Sequence, residues 1–181
     1  MEQILFFLLR CIYLMLPAYF ANMAPVIVKK INLFAFPIDF DIEFRNNPLL
    51  GKNKTFRGLV FGVLFSIIIA YFQSKLYAAG LFNNLVFFSY ERWFFIGFIM
   101  GFGALVGDSI KSFFKRRINI KPGGKFIPFD QTDFVIGALA FMMPFYNITI
   151  TILISCIVLS LVLHIIVNHV SFYLGIRREK W

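Results

Sequence analysis

Three carboxylates and six bases share one short segment of an otherwise apolar chain. Residues 107–133 read GDSIKSFFKRRINIKPGGKFIPFDQTD. Asp108 ends one apolar run, and Asp130 and Asp133 lead into the next. Lys111, Lys115, Arg116, Arg117, Lys121 and Lys125 lie between them. Acids at the edge of membrane-length apolar runs are costly and mark function. Their hard oxygens suit divalent cations such as Mg²⁺. Lys and Arg clusters suit phosphates. Metal-binding acids beside phosphate-binding bases are the equipment of phosphoryl or nucleotidyl transfer. The plainer alternative is a basic loop that merely orients a membrane protein. It accounts for the bases but not for the acids.

A second group precedes the first. Residues 50–58 read LGKNKTFRG and bring Lys52, Asn53, Lys54, Thr55 and Arg57 to the entrance of an apolar run. Thr55 suits the N-cap of a helix whose first amides favour an anion. The segment lacks the spacing of a P-loop. Its alternative is a basic flank that anchors a helix to anionic headgroups. Asn53 and Thr55 add little to such anchoring and suit contacts to a base or ribose.

The elements that must position these groups are apolar helices. The chain has 181 residues, 60% of them hydrophobic, with 26 Phe and 15% charged residues. Its mean hydropathy is +0.79. That composition does not suit a soluble domain. Spanning-length runs recur throughout, without the alternation of barrel strands. The expectation is one all-α, multi-pass domain over residues 1–181, in the cell membrane. A net charge of +9 would suggest nucleic acid in a soluble protein. Here it fits loops that face anionic membrane lipids and an anionic substrate, with no nucleic-acid partner. Cys11 and Cys156 lie in apolar runs and read as core or lipid-facing residues. His164 and His169 lack the companions of a zinc site.

About five spans are expected. Residues 4–28 form a retained first helix, kinked by Pro17 and Pro25, with Arg10 reaching the nearer interface. The loop 29–57 holds short interfacial or re-entrant pieces at 33–36 and 40–44. A second helix runs from 58 to about 79, and its Gly58–Gly62 pair permits close packing. A third starts at Trp93 and continues past the lipid to about Arg117. That continuation puts Asp108, Lys111, Ser112 and Lys115 on one face. Residues 134–145 give a short fourth span interrupted by Pro144, and 148–174 a fifth. Of the 18 bases, six lie in loop 29–57, six in the segment 108–133 and three in the C-terminal tail. This asymmetry places the N-terminus outside and both loops and the C-terminus in the cytoplasm.

The motif set LGKNKTFRG, GDSIKSFFKRR, KPGG and PFDQTDF resembles the CDP-archaeol synthase family of membrane cytidylyltransferases, over the whole chain. The related CDP-diacylglycerol synthases share Gly-Asp, Ser, Lys-Arg, a Pro-Gly turn and two acids three apart. Those positions here are Gly107, Asp108, Ser112, Lys115, Arg116, Pro122, Gly123, Asp130 and Asp133. The diacylglycerol enzymes carry a His before the Gly pair and an Arg after the first late acid. Pro122 and Gln131 stand there in this chain and point to the archaeol branch. Phe56 replaces a Trp expected in that branch.

The resemblance implies a reaction in which digeranylgeranylglyceryl phosphate attacks the α-phosphorus of CTP, giving a CDP-lipid and pyrophosphate with Mg²⁺. It implies Asp108, Asp130 and Asp133 as metal ligands and as the catalytic set with Lys115 and Arg116. Three acids are also compatible with a second metal or a monovalent ion. Lys111, Lys115, Arg116 and Arg117 would hold triphosphate or lipid phosphate, with Ser112, Lys121 and Gly123 beside them. Lys52, Asn53, Lys54, Thr55 and Arg57 would contact nucleotide. Each has a plainer role. Asp108 could pair with Lys111 or Lys115 along the helix, Asp133 could cap a helix, and Asp130 could be a solvated loop acid. Gly123 and Gly124 could serve only the turn. The rival classes are a transporter, a non-enzymatic basic scaffold and a CDP-alcohol phosphotransferase. A transporter would carry charges near the midplane. The phosphotransferase would need a longer acid series with Asp-Gly and Ala-Arg pairs.

Overall fold

A computed structural model describes residues 2–44, 47–121 and 124–173. The apolar runs form five helices: α1 (Glu2–Ile27), α2 (Phe56–Ala78), α3 (Trp93–Arg117), α4 (Phe129–Met142) and α5 (Ile150–Tyr173). Two-residue strands β1 (Glu43–Phe44) and β2 (Asn47–Pro48) pair antiparallel within the first loop. With the isolated bridge between Pro37 and Thr55, they depart from an all-α chain. The stretches 33–36 and 40–42 are bends, turns and irregular backbone, and 43–44 is β1. Phe34 and Phe40 have positive φ there, which breaks any helix. The rings of Phe36, Phe40 and Phe56 pack on one another and fold the loop onto the start of α2.

α1, α2, α3 and α5 are long and apolar enough to cross a membrane. α4 is not: its 14 residues span about 21 Å, against a hydrocarbon core of about 30 Å. It begins earlier than expected and stops before Pro144. It packs along part of α3, and the segment after it continues toward the other end of the bundle. There Phe145 meets Phe95 at 4.8 Å and Tyr146 meets Phe88 at 4.3 Å. Phe7 of α1 meets Phe87 at the same end. At the opposite end Pro25 of α1 packs on Gly58 of α2.

Small residues set the spacing of these helices. A Cβ at Gly58 would crowd Pro25, and one at Gly62 would strike Leu105, so the expected small-residue pair does pack. The tightest approach is between α3 and α4. A Cβ at Gly107 would land on the Asp133 carbonyl, and one at Gly137 on the Gly103 carbonyl. No other L-residue fits at either place without moving a backbone. Buried Cys11, Met15, Met100, Leu139 and Cys156 form the core below this seam.

Candidate active site

α3 continues unbroken to Arg117, with its last turn basic, as suits the negative end of a helix dipole. Asp108, Lys111, Ser112 and Lys115 therefore share one face. The Gly107 contact brings α4 against that face and delivers Asp130 and Asp133. The Lys111 ammonium lies 3.1 Å from Asp108, 3.0 Å from Asp130 and 2.8 Å from Asp133. Lys115 lies 3.0 and 3.2 Å from the two oxygens of Asp130 and also donates to the Gly124 carbonyl. Lys54, from the first loop, pairs with Asp108. Three aspartates and three lysines from three chain segments thus form one cluster at one end of the bundle.

The plainer roles fare differently. Asp108 does pair with Lys111 along α3, but Lys111 is shared with two acids of α4. Asp133 lies a turn inside α4 and is no cap. Asp130 is not a solvated loop acid. It accepts from the Phe126 amide at 2.6 Å. Burial pushes its carboxyl up, but Lys115, Lys111 and the Phe126 amide outweigh that and hold it below the usual carboxylate range.

The donor set fits a hard cation. Its oxygens are all carboxylate, and the buried Asp133 Oδ2 has no well-aligned hydrogen-bond donor, although Lys111 approaches it. Among the described residues no three acids approach closely enough to cage an ion by themselves. The Lys111 ammonium holds the point between them.

The first loop is held over this cluster by Asp39, which sequence reasoning passed over as one loop acid among several. Its carboxylate is 5% exposed and accepts from the amides of Leu50 at 2.8 Å and Gly51 at 3.1 Å. The available signal was an acid set between Ile38 and Phe40, in an apolar flank. Ile38 also donates to the Lys54 carbonyl at 2.8 Å. Thr55 caps α2 as expected, accepting from Gly58 at 3.2 Å. These contacts aim Lys54 at Asp108.

A cleft of about 120 Å³ is lined by Asn53, Lys54, Asp108, Lys111, Lys115 and Arg116. A second, of about 280 Å³, lies on the other side of Arg116 and is lined by Asn47, Asn119 and Lys121. Asn47 and Asn119, also not anticipated, face each other there at 3.5 Å. Other expected residues are engaged elsewhere. Arg57 donates to the Ile31 carbonyl at 2.6 Å and ties the loop to the end of α1. Arg117 donates to the Phe44 and Pro48 carbonyls and stacks over Phe113, so it staples the hairpin to α3. Ser112 does line the first cleft, and its hydroxyl donates to the Asp108 carbonyl at 2.9 Å. Lys52 is exposed and lines neither cleft. Gly123 lies outside the described residues.

Comparison with known proteins bears on the whole chain. The family model described as "CarS-like: CDP-archaeol synthase" matches residues 3–181. The chain belongs to this family. A CDP-archaeol synthase of Methanocaldococcus jannaschii is 33% identical over 176 residues, covering 96% of this chain and 97% of that protein. One from Sulfurisphaera tokodaii is 32% identical over 180 residues, covering 98% and 99%. A solved structure described as "Structural insight into an intramembrane enzyme for archaeal membrane lipids biosynthesis" is similar with a TM-score of 0.70. It is 31% identical and covers 87% of this chain and 91% of that chain. Membership in the CDP-archaeol synthase family agrees with the motif resemblance, and with a multi-pass membrane protein whose polar residues gather at one end.

Proposed function

We propose that this chain transfers CMP from CTP to a phosphorylated isoprenoid glycerol ether lipid, forming a CDP-archaeol-type lipid. An oxygen of the lipid phosphate bonds to the α-phosphorus. The bond from that phosphorus to the bridging oxygen breaks, and pyrophosphate leaves. The observation that carries the reading is the cluster of three aspartates and three lysines at the end of an apolar bundle, in a member of this family.

The lipid phosphate is already anionic near neutral pH, so no strong base is needed. The barrier is repulsion between anions and charge building on the leaving group. Asp108, Asp130 and Asp133 would hold Mg²⁺, which when bound supplies charge neutralisation at the phosphates. Lys54, Lys111 and Lys115 pair with carboxylates here, and the same ammonium groups would serve phosphates if those carboxylates held a cation. Arg116 lies between the two clefts, where one guanidinium reaches both occupants. Asn53 and Lys54 line the nucleotide side. Arg57, Arg117 and Asp39 hold the loop in place rather than touch substrate.

The five helices cross the membrane alternately, α4 completing its crossing with the segment that joins it to α5. The N-terminus lies outside, and the cluster faces the cytoplasm, where CTP is found. The distribution of bases supports this orientation.

The test is pyrophosphate release by purified protein with Mg²⁺, CTP and digeranylgeranylglyceryl phosphate. Release that needs both CTP and the ether lipid supports the assignment. Release with phosphatidic acid instead would keep the chemistry and overturn the acceptor. No release from folded protein would overturn the enzymatic reading.

A further inference from the structure

The first loop exposes a run of large apolar side chains between the end of α1 and the start of α2. Ile31, Leu33, Phe34, Phe36 and Phe40 are each between 43% and 68% exposed. Exposed apolar side chains gathered this closely mark a surface that meets a partner or a membrane. Phe34 and Phe40 sit at φ values of 52° and 50°, where glycine would meet the need of the backbone at lower cost. The rings are what phenylalanine adds at these turns.

Backbone pairing fixes where the run lies. The Arg57 amide donates to the Phe34 carbonyl at 2.7 Å, and the Phe56 amide to the Phe36 carbonyl at 3.1 Å. Pro37 and Thr55 form an antiparallel bridge beside them. Residues 34–38 are therefore clamped against the entrance of α2. The Arg57 guanidinium also holds the Ile31 carbonyl, just past the end of α1. Both helices are long and apolar enough to cross a membrane. The run thus lies between the ends of two spans, at the depth where hydrocarbon gives way to headgroups.

The charges match that position. Lys29 and Lys30, both exposed, precede the run. From Lys29 to Phe40 the one acid is Asp39, which is buried on the Leu50 and Gly51 amides. Exposed Asp41 follows, where the chain leaves for the hairpin that Arg117 staples to α3. A basic edge beside exposed aliphatic and aromatic side chains suits a segment lying in the plane of an anionic interface.

We propose that residues 29–40 dock in the headgroup layer of an anionic lipid leaflet, with Lys29 and Lys30 on lipid phosphates, and that this docking steadies the backbone that carries Lys54 to Asp108. The docking itself requires only that α1 and α2 cross the membrane. Its effect on CTP rests on the cytidylyltransferase reading.

The test uses the full chain in nanodiscs that contain an anionic lipid. Cys11 and Cys156 are fully buried, so a fluorophore on Leu33→Cys or Phe40→Cys reports one place. Trace lipids with a nitroxide on the headgroup serve as quenchers, and Lys52→Cys, at an exposed position of the same loop, is the reference. Strong quenching is expected at positions 33 and 40 and weak quenching at 52. An anionic nitroxide lipid should outdo a zwitterionic one by up to about fivefold for each lysine. Added salt should weaken that preference, and the double variant Lys29→Gln/Lys30→Gln should abolish it. Ile31→Gln/Leu33→Gln, which adds no charge, should reduce quenching at Phe40→Cys and raise KM for CTP about threefold. Equal quenching at positions 33 and 52, no headgroup preference, or an unchanged KM would overturn the proposal. So would shielding from the lipid quencher that appears only when two chains share a disc. The expected quenching with no pyrophosphate release by the wild type would instead overturn the reaction and leave the docking standing.

Discussion

Two cations are embedded in the apolar helices at opposite ends of the bundle, and they are satisfied in different ways. Arg10 of α1 donates to the Val86 carbonyl at 2.6 Å and lies over the Phe87 ring at 4.1 Å. No acid pairs with it among the described residues. Next to Phe87 in the chain, Phe88 contacts the rings of Tyr90 and Tyr146, and Tyr90 meets Tyr13 edge-on. Lys111 of α3 instead touches three aspartates, two of them from another helix. One carbonyl and one ring engage this cation, while its buried Nε has no hydrogen-bond partner. Three carboxylates carry more charge than the one Lys111 ammonium balances, and their desolvation is costly unless another function retains them. The Arg10 end is packed with aromatic rings, and the Lys111 end carries the charge cluster.

Substitutions should separate the two ends. The largest effect is expected from Asp133→Asn, which removes an acid of the cluster. Pyrophosphate release should fall on the order of 10²- to 10³-fold, as for loss of one preorganised electrostatic group, while the thermal unfolding temperature in detergent changes little. A large fall in that temperature would make Asp133 structural, like Arg10. Next is Gly107→Ala. Its methyl meets the Asp133 carbonyl, so α3 and α4 must part, at about 1–3 kcal/mol by overpacking. Both unfolding temperature and activity should drop, and normal activity would show that the cluster tolerates a wider seam. Asp39→Ala should follow. It leaves the Leu50 and Gly51 amides unpaired, loosens the first loop, and raises KM for CTP about tenfold, with faster proteolysis near Lys52 as the structural readout. Arg10→Ala should do least. It costs about 1 kcal/mol of stability and leaves kcat of the folded fraction unchanged. A kcat loss there would end the contrast between the two ends.

Much of the site was legible in the sequence because it follows from helix geometry. The spacing of Asp108, Lys111 and Lys115 dictates one face once α3 is unbroken, and Thr55 before an apolar run dictates a cap. Tertiary effects were not legible. Gly107 was visible as part of a motif, but its contact with the Asp133 carbonyl depends on where α4 packs. Arg57 and Arg117 look like phosphate ligands in a basic string. In the fold, nearby loop carbonyls need donors, and these guanidiniums supply them. Asp39 was hidden for the converse reason: its partners are backbone amides, which every residue but proline carries. The bounds of α4 were shifted: it starts at Phe129, ahead of the apolar run, and ends at Met142, before the Pro144 expected to interrupt it.

The central claim is that Asp108, Asp130 and Asp133 form a cation site which draws on the same lysines as the phosphates. Electron paramagnetic resonance of Mn²⁺ binding, with Mn²⁺ replacing Mg²⁺, tests it most directly. The account predicts that CTP strengthens Mn²⁺ binding to the wild-type protein, and that Asp133→Asn abolishes this strengthening while Arg10→Ala preserves it. Equal Mn²⁺ binding by wild type and Asp133→Asn in the presence of CTP would contradict it.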